Sequence, residues 1–332
     1  MGSEMCIRDR ASAILAHRRT ASPENRLTVN QRMSFGKHVR ANKALYLMLV
    51  PGILYYIIFH YAPMAGIVIA FKDFDIFSGI WSSEWVGFDH FRQLFGSDAF
   101  FRVFRNSLCV SFYKLAVCFP VPIVLAIMLN EVRNRKFQRT LQTVVYLPYF
   151  LSWVVIAGIV TNLLSPSDGI VNVLIKALGG APVNFLASKE KFRTILVLSD
   201  LWHGMGWNTI IFLAALTNID PQLYEAARID GAGKLQQILH ITLPGLKSTI
   251  IVLLLMKIGN LMNNGFEQIF LLYNPNVYEV ADVFETYVYR IGLVDTRYDF
   301  ATAVGLFKSC ISFVMLVCAN KLARVFGERG IF

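Results

Sequence analysis

Residues 219–246 read IDPQLYEAARIDGAGKLQQILHITLPGL, a segment of ordinary polarity between two long apolar stretches. Asp220 followed by Pro221 predicts a helix N-terminus, because the carboxylate accepts backbone N–H bonds and proline fixes the first helical angle. Gly231 is placed to end that helix as a C-cap, and a second short helix should follow and end at Pro244. The segment therefore predicts two short helices kept in water by an otherwise apolar chain.

The chain as a whole is too apolar for a soluble domain. Of its 332 residues, 55% are hydrophobic and 16% are charged, against about 45–50% and about 25% in soluble proteins. The five cysteines show no Cys-x-x-Cys spacing, so we interpret them as small core residues rather than as a disulfide framework or metal site. They are Cys6, Cys109, Cys118, Cys310 and Cys318. This composition predicts an integral membrane protein.

Six stretches are long and apolar enough to cross a membrane, which takes about 20 mostly apolar residues in a helix. They are residues 44–70, 107–130, 140–164, 192–217, 247–273 and 299–324. The predicted fold class is therefore all-α and integral to the membrane, with six transmembrane helices.

Lysine and arginine set the predicted orientation, since positively charged short loops stay in the cytoplasm. Residues 1–43 hold nine of them against three acids, 131–139 four against one, and 319–332 three against one. Both termini and the segment 219–246 are thus predicted to be cytoplasmic. Because these basic regions account for most of the net charge of +10, nothing in the composition points to nucleic acid.

The predicted domain organisation follows from the spans. Residues 1–43 form a cytoplasmic segment, and residues 1–10 (MGSEMCIRDR) are expected to be an artefact, because they lack the apolar core of a signal peptide. Residues 44–326 form the membrane domain, which includes a cytoplasmic loop at 218–246. Residues 327–332 form a cytoplasmic tail.

Two interpretations of the loop stay open on physical grounds alone. Its small residues leave a short, flat helix that fits a groove on another protein, or the helix rests on lipid headgroups. ATP binding by GAGKL at 231–235 is excluded, because a phosphate-binding loop needs glycine at 228 and serine or threonine at 235. Those positions hold Arg228 and Leu235.

The stretch EAARIDGAGKLQQILHITLP resembles the signature of permease subunits of binding-protein-dependent ABC importers. That signature is Glu-Ala-Ala, glycine after three residues, nine further residues, and Ile-x-Leu-Pro. The resemblance implies that the loop is a coupling helix that docks into a cleft of a cytoplasmic ATPase. The residues that it assigns to this contact or to its geometry are Glu225, Ala226, Ala227, Asp230, Gly231, Ile241, Leu243 and Pro244.

The rest of the chain narrows the resemblance. YAPMAGIVIAFKDFD (61–75), WVGFDHFRQLF (85–95), DVFETYVYRIGL (282–293), ATAVGLFKS (301–309) and the ending NKLARVFGERGIF are similar to the polysaccharide-type carbohydrate permeases related to LplB, including those of alginate and pectic-oligosaccharide importers. This implies a non-catalytic subunit in the cytoplasmic membrane with no cofactor of its own. Its expected partners are a second, different permease, two ATPase copies that hold ATP and magnesium, and an extracytoplasmic sugar-binding protein.

Polar residues inside the spans are the candidates for a sugar pathway, because such residues are unfavourable in lipid and usually face a cavity or a partner. In the fifth span Asn260, Asn263, Asn264 and Glu267 have the spacing of one helical face, with Lys257 a turn earlier. The fourth span adds Asp200, Trp202, His203 and Trp207. The alternative is that these residues join helices by hydrogen bonds. Lys114 and Lys308 are expected to form ion pairs or to reach an interface.

Two rival functions are weaker. An ion-coupled secondary transporter using Asp200, Lys257 and Glu267 would predict an inverted repeat of the spans, and the sequence shows none. A membrane enzyme using Asp200 and His203 would need a nucleophile or metal motif such as His-Glu-x-x-His, which is absent. Lys257 and the family resemblance favour an acidic oligosaccharide, and a neutral one stays open.

Overall fold

The computed structural model describes residues 42–325, which are mostly helical. Residues 1–41 and 326–332 lie outside the described part, and with them Cys6, the predicted artefact 1–10, nearly all of the predicted N-terminal segment and the predicted tail. The chain divides into two compact units, with the boundary between Met64 and Ala65.

The described part of the first unit is one helical run. Helix α1, Lys43–Tyr56, passes into a π-helical turn at Ile57–Tyr61 and a last helical turn at Ala62–Met64. The π turn ends two residues before Pro63, whose ring would clash with a carbonyl of a regular preceding turn. The wider turn therefore lets the helix continue past the proline.

The second unit begins with a 3₁₀ segment, Ala65–Phe71, and a short antiparallel ribbon. Its strands are β1, Lys72–Asp73, and β2, Glu84–Trp85, and helix α2, Gly79–Ser82, lies between them. Lys72 pairs with Trp85 in the ribbon, and Asp73 pairs with Glu84.

Fourteen further helices make up the rest of this unit in the part of the chain described. They are α3 Asp89–Phe95, α4 Asp98–Cys118, α5 Pro120–Glu131, α6 Arg135–Tyr146, α7 Trp153–Leu163, α8 Ile170–Ala177, α9 Lys189–Leu216, α10 Pro221–Ile229, α11 Lys234–Gln237, α12 Leu243–Gly259, α13 Phe266–Leu272, α14 Tyr278–Ala281, α15 Phe284–Tyr289 and α16 Tyr298–Val325. Short 3₁₀ segments stand at Leu147–Phe150 and Pro275–Val277, and π turns stand at Ile238–Thr242 and Arg290–Val294.

Four helical runs are long and apolar enough to cross a membrane: Lys43–Phe71, Asp98–Glu131, Lys234–Gly259 and Tyr298–Arg324. A fifth is reached if Arg135–Phe150 and Trp153–Leu163, bent by 103° at a short break, form one span. The predicted third span is thus sharply bent where Pro148 and Ser152 interrupt the helix. Helix α9, at the predicted fourth span, is long enough but is not among the runs that qualify by hydropathy.

Two helix boundaries differ from the prediction. The helix after Gly231 does not end at Pro244, because α11 runs through the π turn Ile238–Thr242 into α12 as one 26-residue run. The π turn again precedes a proline and removes the clash that would have ended the helix. The predicted fifth span is also interrupted, since α12 ends at Gly259 and α13 begins only at Phe266.

The largest buried cluster lies where α4, α7, α9 and α13 meet. Ile156, Phe192, Leu196 and Ile269 are fully buried within it. A second cluster joins α3, α4 and α15 to the start of α16, with Phe100, Phe284 and Phe300 at its centre. Met262 places the break at 260–265 in the second cluster, and Ile269 anchors the following helix α13 in the first.

Candidate functional site

The polar segment folds as its caps predict. The Asp220 carboxylate accepts a hydrogen bond from the Gln222 amide at 2.9 Å, which caps α10. Gly231 has φ +78°, a left-handed conformation that glycine adopts without strain. The Ala232 amide then donates to the Ala227 carbonyl at 2.8 Å, which closes the C-terminal turn.

Contacts on its inner side hold this segment in one conformation. The Tyr224 hydroxyl lies 3.0 Å from the Thr242 hydroxyl, and buried Gln237 donates to the Ala232 carbonyl at 2.9 Å. Lys234 forms a 2.5 Å ion pair with Glu131 at the end of α5. The loop is therefore an ordered surface.

The outer side of the segment is exposed and partly apolar. Leu223 is 52% exposed, Ile229 87% and Leu235 69%. Of the eight residues assigned by resemblance, Ala227, Ile241 and Leu243 are half-buried, and the others are exposed: Glu225, Ala226, Asp230, Gly231 and Pro244. The structure thus places the Glu-Ala-Ala end of the motif on the surface and the Ile-x-Leu end in the base of the loop.

The predicted helical stripe in the fifth span is wrong in its geometry. Residues 260–265 are not helical, and Gly265 has φ +83°. Asn264 is buried, whereas Asn260, Asn263 and Glu267 are exposed. The amides therefore stand on a non-helical segment and point in different directions.

Two charged groups from neighbouring helices satisfy the backbone of this break. Lys114 donates to the backbone carbonyl of Asn264 at 2.8 Å. The backbone N–H of Asn264 donates to the Glu285 carboxylate at 3.3 Å. Lys114 also pairs with Asp200 at 3.5 Å, and Lys308 pairs with Glu285 at 2.5 Å. Both lysines are thus paired, one of the two alternatives expected for them. Irregular backbone at membrane depth is tolerated where such partners exist.

Sequence reasoning missed three members of this polar network. Ser111 donates to the Asn264 side-chain oxygen at 2.9 Å. Gln268, fully buried, donates to the Ser199 hydroxyl at 2.8 Å and accepts from Lys114. The signal was available in part. Ser111 lies one turn before Lys114 on α4, and Gln268 follows Asn264 by four residues, the spacing of one face in the predicted fifth span.

Three cavities meet at Asn260, which lines all of them. Cavity A, of about 180 Å³, is lined by Lys114, Asp200, Lys257 and Asn263 among others. Cavity B, of about 700 Å³, lies between the break, α15 and α16. Cavity C, of about 250 Å³, lies between α5, α9 and α12. The side chain of Lys257 is exposed, lines A and C, and forms no salt bridge within residues 42–325.

The fourth-span candidates do not converge on one cavity. Asp200 lines cavity A, whereas the His203 ring packs 4.4 Å from the Trp153 ring and the Trp207 ring stacks 4.7 Å from that of Tyr149. Trp202 packs against the largest core cluster. Of the three residues considered for a secondary transporter, Asp200 and Lys257 line cavity A, and Glu267 lines none of the three cavities.

Among the cysteines, Cys118 lines cavities A and C. Cys109, Cys118, Cys310 and Cys318 are free thiols. Across residues 42–325, no group of three or more His, Cys, Asp or Glu side chains is arranged to hold a metal ion.

Gly206 lets α9 pack directly on α6. A β-carbon at this position would lie 2.4 Å from the Val145 carbonyl oxygen and 2.8 Å from the Tyr146 Cα. Backbone atoms yield little, so we expect Gly206→Ala to lower stability by about 1–3 kcal/mol, the usual effect of overpacking. Thermal unfolding of the purified protein measures this loss. Gly204→Ala is the matched control, because its β-carbon would meet only the Asn208 side chain, at 3.6 Å; equal losses for both would contradict the packing argument.

Known proteins resemble this chain over most of its length. Residues 122–329 match the family described as "Binding-protein-dependent transport system inner membrane component". The polygalacturonan/rhamnogalacturonan transport system permease protein YteP of Bacillus subtilis (strain 168) is 49% identical over 87% of this chain and 90% of its own length. Protein LplB of the same organism is 44% identical over 92% of this chain and 96% of its own length.

Solved structures agree with the sequence relatives. A bacterial ABC transporter involved in import of the acidic polysaccharide alginate contains a chain that is 44% identical, with a TM-score of 0.82 over 87% of this chain and 97% of that one. The bacterial alginate transporter in complex with a pentasaccharide-bound periplasmic protein gives 43% identity and a TM-score of 0.83, over 90% of this chain and 99% of that one. The family resemblance of the polar segment is confirmed. This chain is a multi-pass membrane protein that belongs to the family of inner-membrane components of binding-protein-dependent transport systems.

Proposed function

We propose that this chain is a permease subunit of an ATP-driven importer that moves acidic, uronate-containing oligosaccharides across the cytoplasmic membrane. The observation that carries the proposal is its 49% identity, over nearly the full length of both chains, to a permease named for polygalacturonan and rhamnogalacturonan. The alginate importer structures, whose named substrate is also an acidic polysaccharide, support the same substrate class.

The proposed assembly follows the family. The chain crosses the membrane six times with both termini in the cytoplasm, and it pairs with a second, different permease. The exposed face of loop 218–246 docks on one of two ATPase copies, which bind ATP and magnesium. An extracytoplasmic sugar-binding protein delivers the substrate. ATP-driven closure of the ATPases then shifts the two permeases between inward-open and outward-open states.

The three cavities mark a path in this topology. Cavity C borders the last turns of α12, at Leu253, Met256 and Lys257, cavity A lies at the break, and cavity B lies beside α15. They share Asn260, whose amide both donates and accepts hydrogen bonds and so suits sugar hydroxyls. The path therefore runs past the interruption of the fifth span.

Lys257 supports an acidic substrate. Lys114 and Lys308 are both bound to carboxylates, whereas Lys257 forms no salt bridge in the described residues and lines two of the cavities. A hydrogen bond to a charged group contributes about 1.5–3 kcal/mol. This free ammonium group is placed to pair with a uronate carboxylate as it passes.

Uptake by the complete transporter in proteoliposomes tests the proposal. Oligogalacturonide and its methyl ester, which has the same chain without the charges, are compared with and without ATP. We expect ATP-dependent uptake of the acidic form, preferred by about tenfold or more, and a smaller preference in Lys257→Met than in Lys257→Arg. Uptake that needs no ATP would refute the importer, and a preference for the ester would refute the acidic substrate.

A further inference from the structure

Cavity B has the composition of a carbohydrate site, although only Asn260 and Asn263 of its lining stood among the pathway residues expected from the sequence. Its volume of about 700 Å³ falls within the range of about 300–1,000 Å³ that is usual for small-molecule sites. Cavities A and C, at about 180 and 250 Å³, fall below that range. Of the three cavities that meet at Asn260, cavity B is thus the one with room for a sugar ring.

Aromatic rings form one wall of cavity B. Phe266 and Tyr289 line it with ring centroids 5.2 Å apart. Phe270 packs 5.0 Å from both of them, which fixes their positions. Aromatic faces complement the apolar C–H faces of pyranose rings, as they do other apolar groups.

Polar groups line the other walls. Asn260 and Asn263 face cavity B as well as cavity A, and Ser309 and Ser312 add hydroxyls from α16. Glu285 has one carboxylate oxygen left for a ligand. Its Oε1 accepts hydrogen bonds from Lys308 and from the backbone N–H of Asn264, while its buried Oε2 has no partner in the described residues. An unpaired carboxylate oxygen in a buried position is destabilising unless a ligand donates to it.

We propose that cavity B is a second sugar subsite, which binds one pyranose unit of the oligosaccharide with its ring face on Phe266 and Tyr289 and a hydroxyl donating to Glu285 Oε2. This inference rests on the proposed import function. Glu285 and Lys308 neutralise each other's charge, so this subsite recognises hydroxyl groups and the shape of the ring. Lys257, on the other side of Asn260, pairs with the uronate carboxylate of the neighbouring sugar unit.

Gly305 offers a way to fill cavity B without disturbing the backbone. It lines the cavity, and a β-carbon built on it meets nothing within 4 Å. We expect Gly305→Ala to be tolerated, and Gly305→Leu to lower oligosaccharide uptake about tenfold while assembly with the second permease and the ATPases stays intact. Gly158→Leu is the control, since a β-carbon at this helical glycine also meets nothing within 4 Å and the residue lines none of the three cavities.

A thiol-protection measurement keeps the test independent of Gly305→Leu folding. Ser309→Cys in a background without native cysteines should react with a maleimide, and oligogalacturonide should protect it. Uptake by wild type together with normal uptake by Gly305→Leu and no protection at position 309 would overturn the subsite and leave the import function standing. Loss of permease pairing in Gly305→Leu without protection at 309 would also overturn it, because cavity B would then be a subunit contact.

Discussion

We expect replacement of Gly231 by valine to lower ATP-dependent uptake about tenfold or more, because a β-branched residue at positive φ is strained by about 1–3 kcal/mol. Gly231 has φ +78°, and no atom lies within 4 Å of a β-carbon built there, so the effect comes from the backbone alone. Relief of the strain would reopen the turn from the Ala232 amide to the Ala227 carbonyl. The exposed end of α10 would then lose its fixed direction. Uptake and ATPase rate, measured together in proteoliposomes, should show hydrolysis persisting while transport falls.

Gly179 supplies the matched control for this change. It has φ +83° and equally open surroundings, but it lies after α8, far along the sequence from the polar segment. Gly179→Val carries the same local strain and should leave coupling unchanged. Gly231→Asn should keep most of the activity, because asparagine tolerates the left-handed conformation. If both valine variants lose transport equally, backbone strain in general is responsible and the specific role of the loop is refuted.

Replacement of Lys114 by methionine should have the second large effect, on assembly. The side chain of Lys114 is 13% exposed and bonds Asp200, the Asn264 carbonyl and Gln268. Removing one partner of a buried ion pair costs about 3–5 kcal/mol, and the partial exposure of Asp200, at 32%, sets the expectation at the lower end. Thermal unfolding and the yield of the complex with the second permease measure the loss. The double variant Lys114→Met, Asp200→Asn should recover part of it, because no carboxylate is then left unpaired.

Lys189→Met is the control for the loss of a lysine. Its partner Glu279 has a pKa lowered by the hydrogen bond and charge of Lys189, yet both side chains are 54% exposed. Exposed ion pairs contribute little, so this variant should unfold at the wild-type temperature. A loss as large as that of Lys114→Met would mean that burial does not determine the effect.

The sequence predicted a mostly helical fold and the shape of the polar loop. Asp220, Pro221 and Gly231 act through their own backbone, so local chemistry was enough to place α10. Local chemistry was not enough to predict where α12 begins and ends. Pro244 should have stopped a helix, but a π turn at Ile238–Thr242 absorbs it, and that turn depends on the contacts of Gln237 and Thr242 with the rest of the loop.

The sequence drew attention to the amides at 260, 263 and 264, but it predicted the wrong backbone geometry for them. Asn260, Asn263 and Asn264 have perfect helical spacing, and Leu261 and Met262 continue the apolar pattern. The helix breaks there because Lys114 and Glu285, each more than 20 residues away in the sequence, satisfy the backbone of Asn264. Hydrogen bonds between distant residues leave no periodic signal. Intramembrane charge was the available hint, since it predicted ion pairs or an interface position for Lys114 and Lys308, and both are paired.

The uninterrupted run from Lys234 to Gly259 turns a small rotation into a large displacement. Twenty-six residues at about 1.5 Å each give a rigid arm about 39 Å long. One end carries Lys234, anchored to Glu131, and the other ends beside Asn260, where the three cavities meet. A tilt of about 10° about the loop end would shift the far end by about 7 Å, more than one helical turn of about 5.4 Å. Motion of that size, delivered to the hydrogen-bonded break, is enough to exchange one set of partners of Asn264 for another.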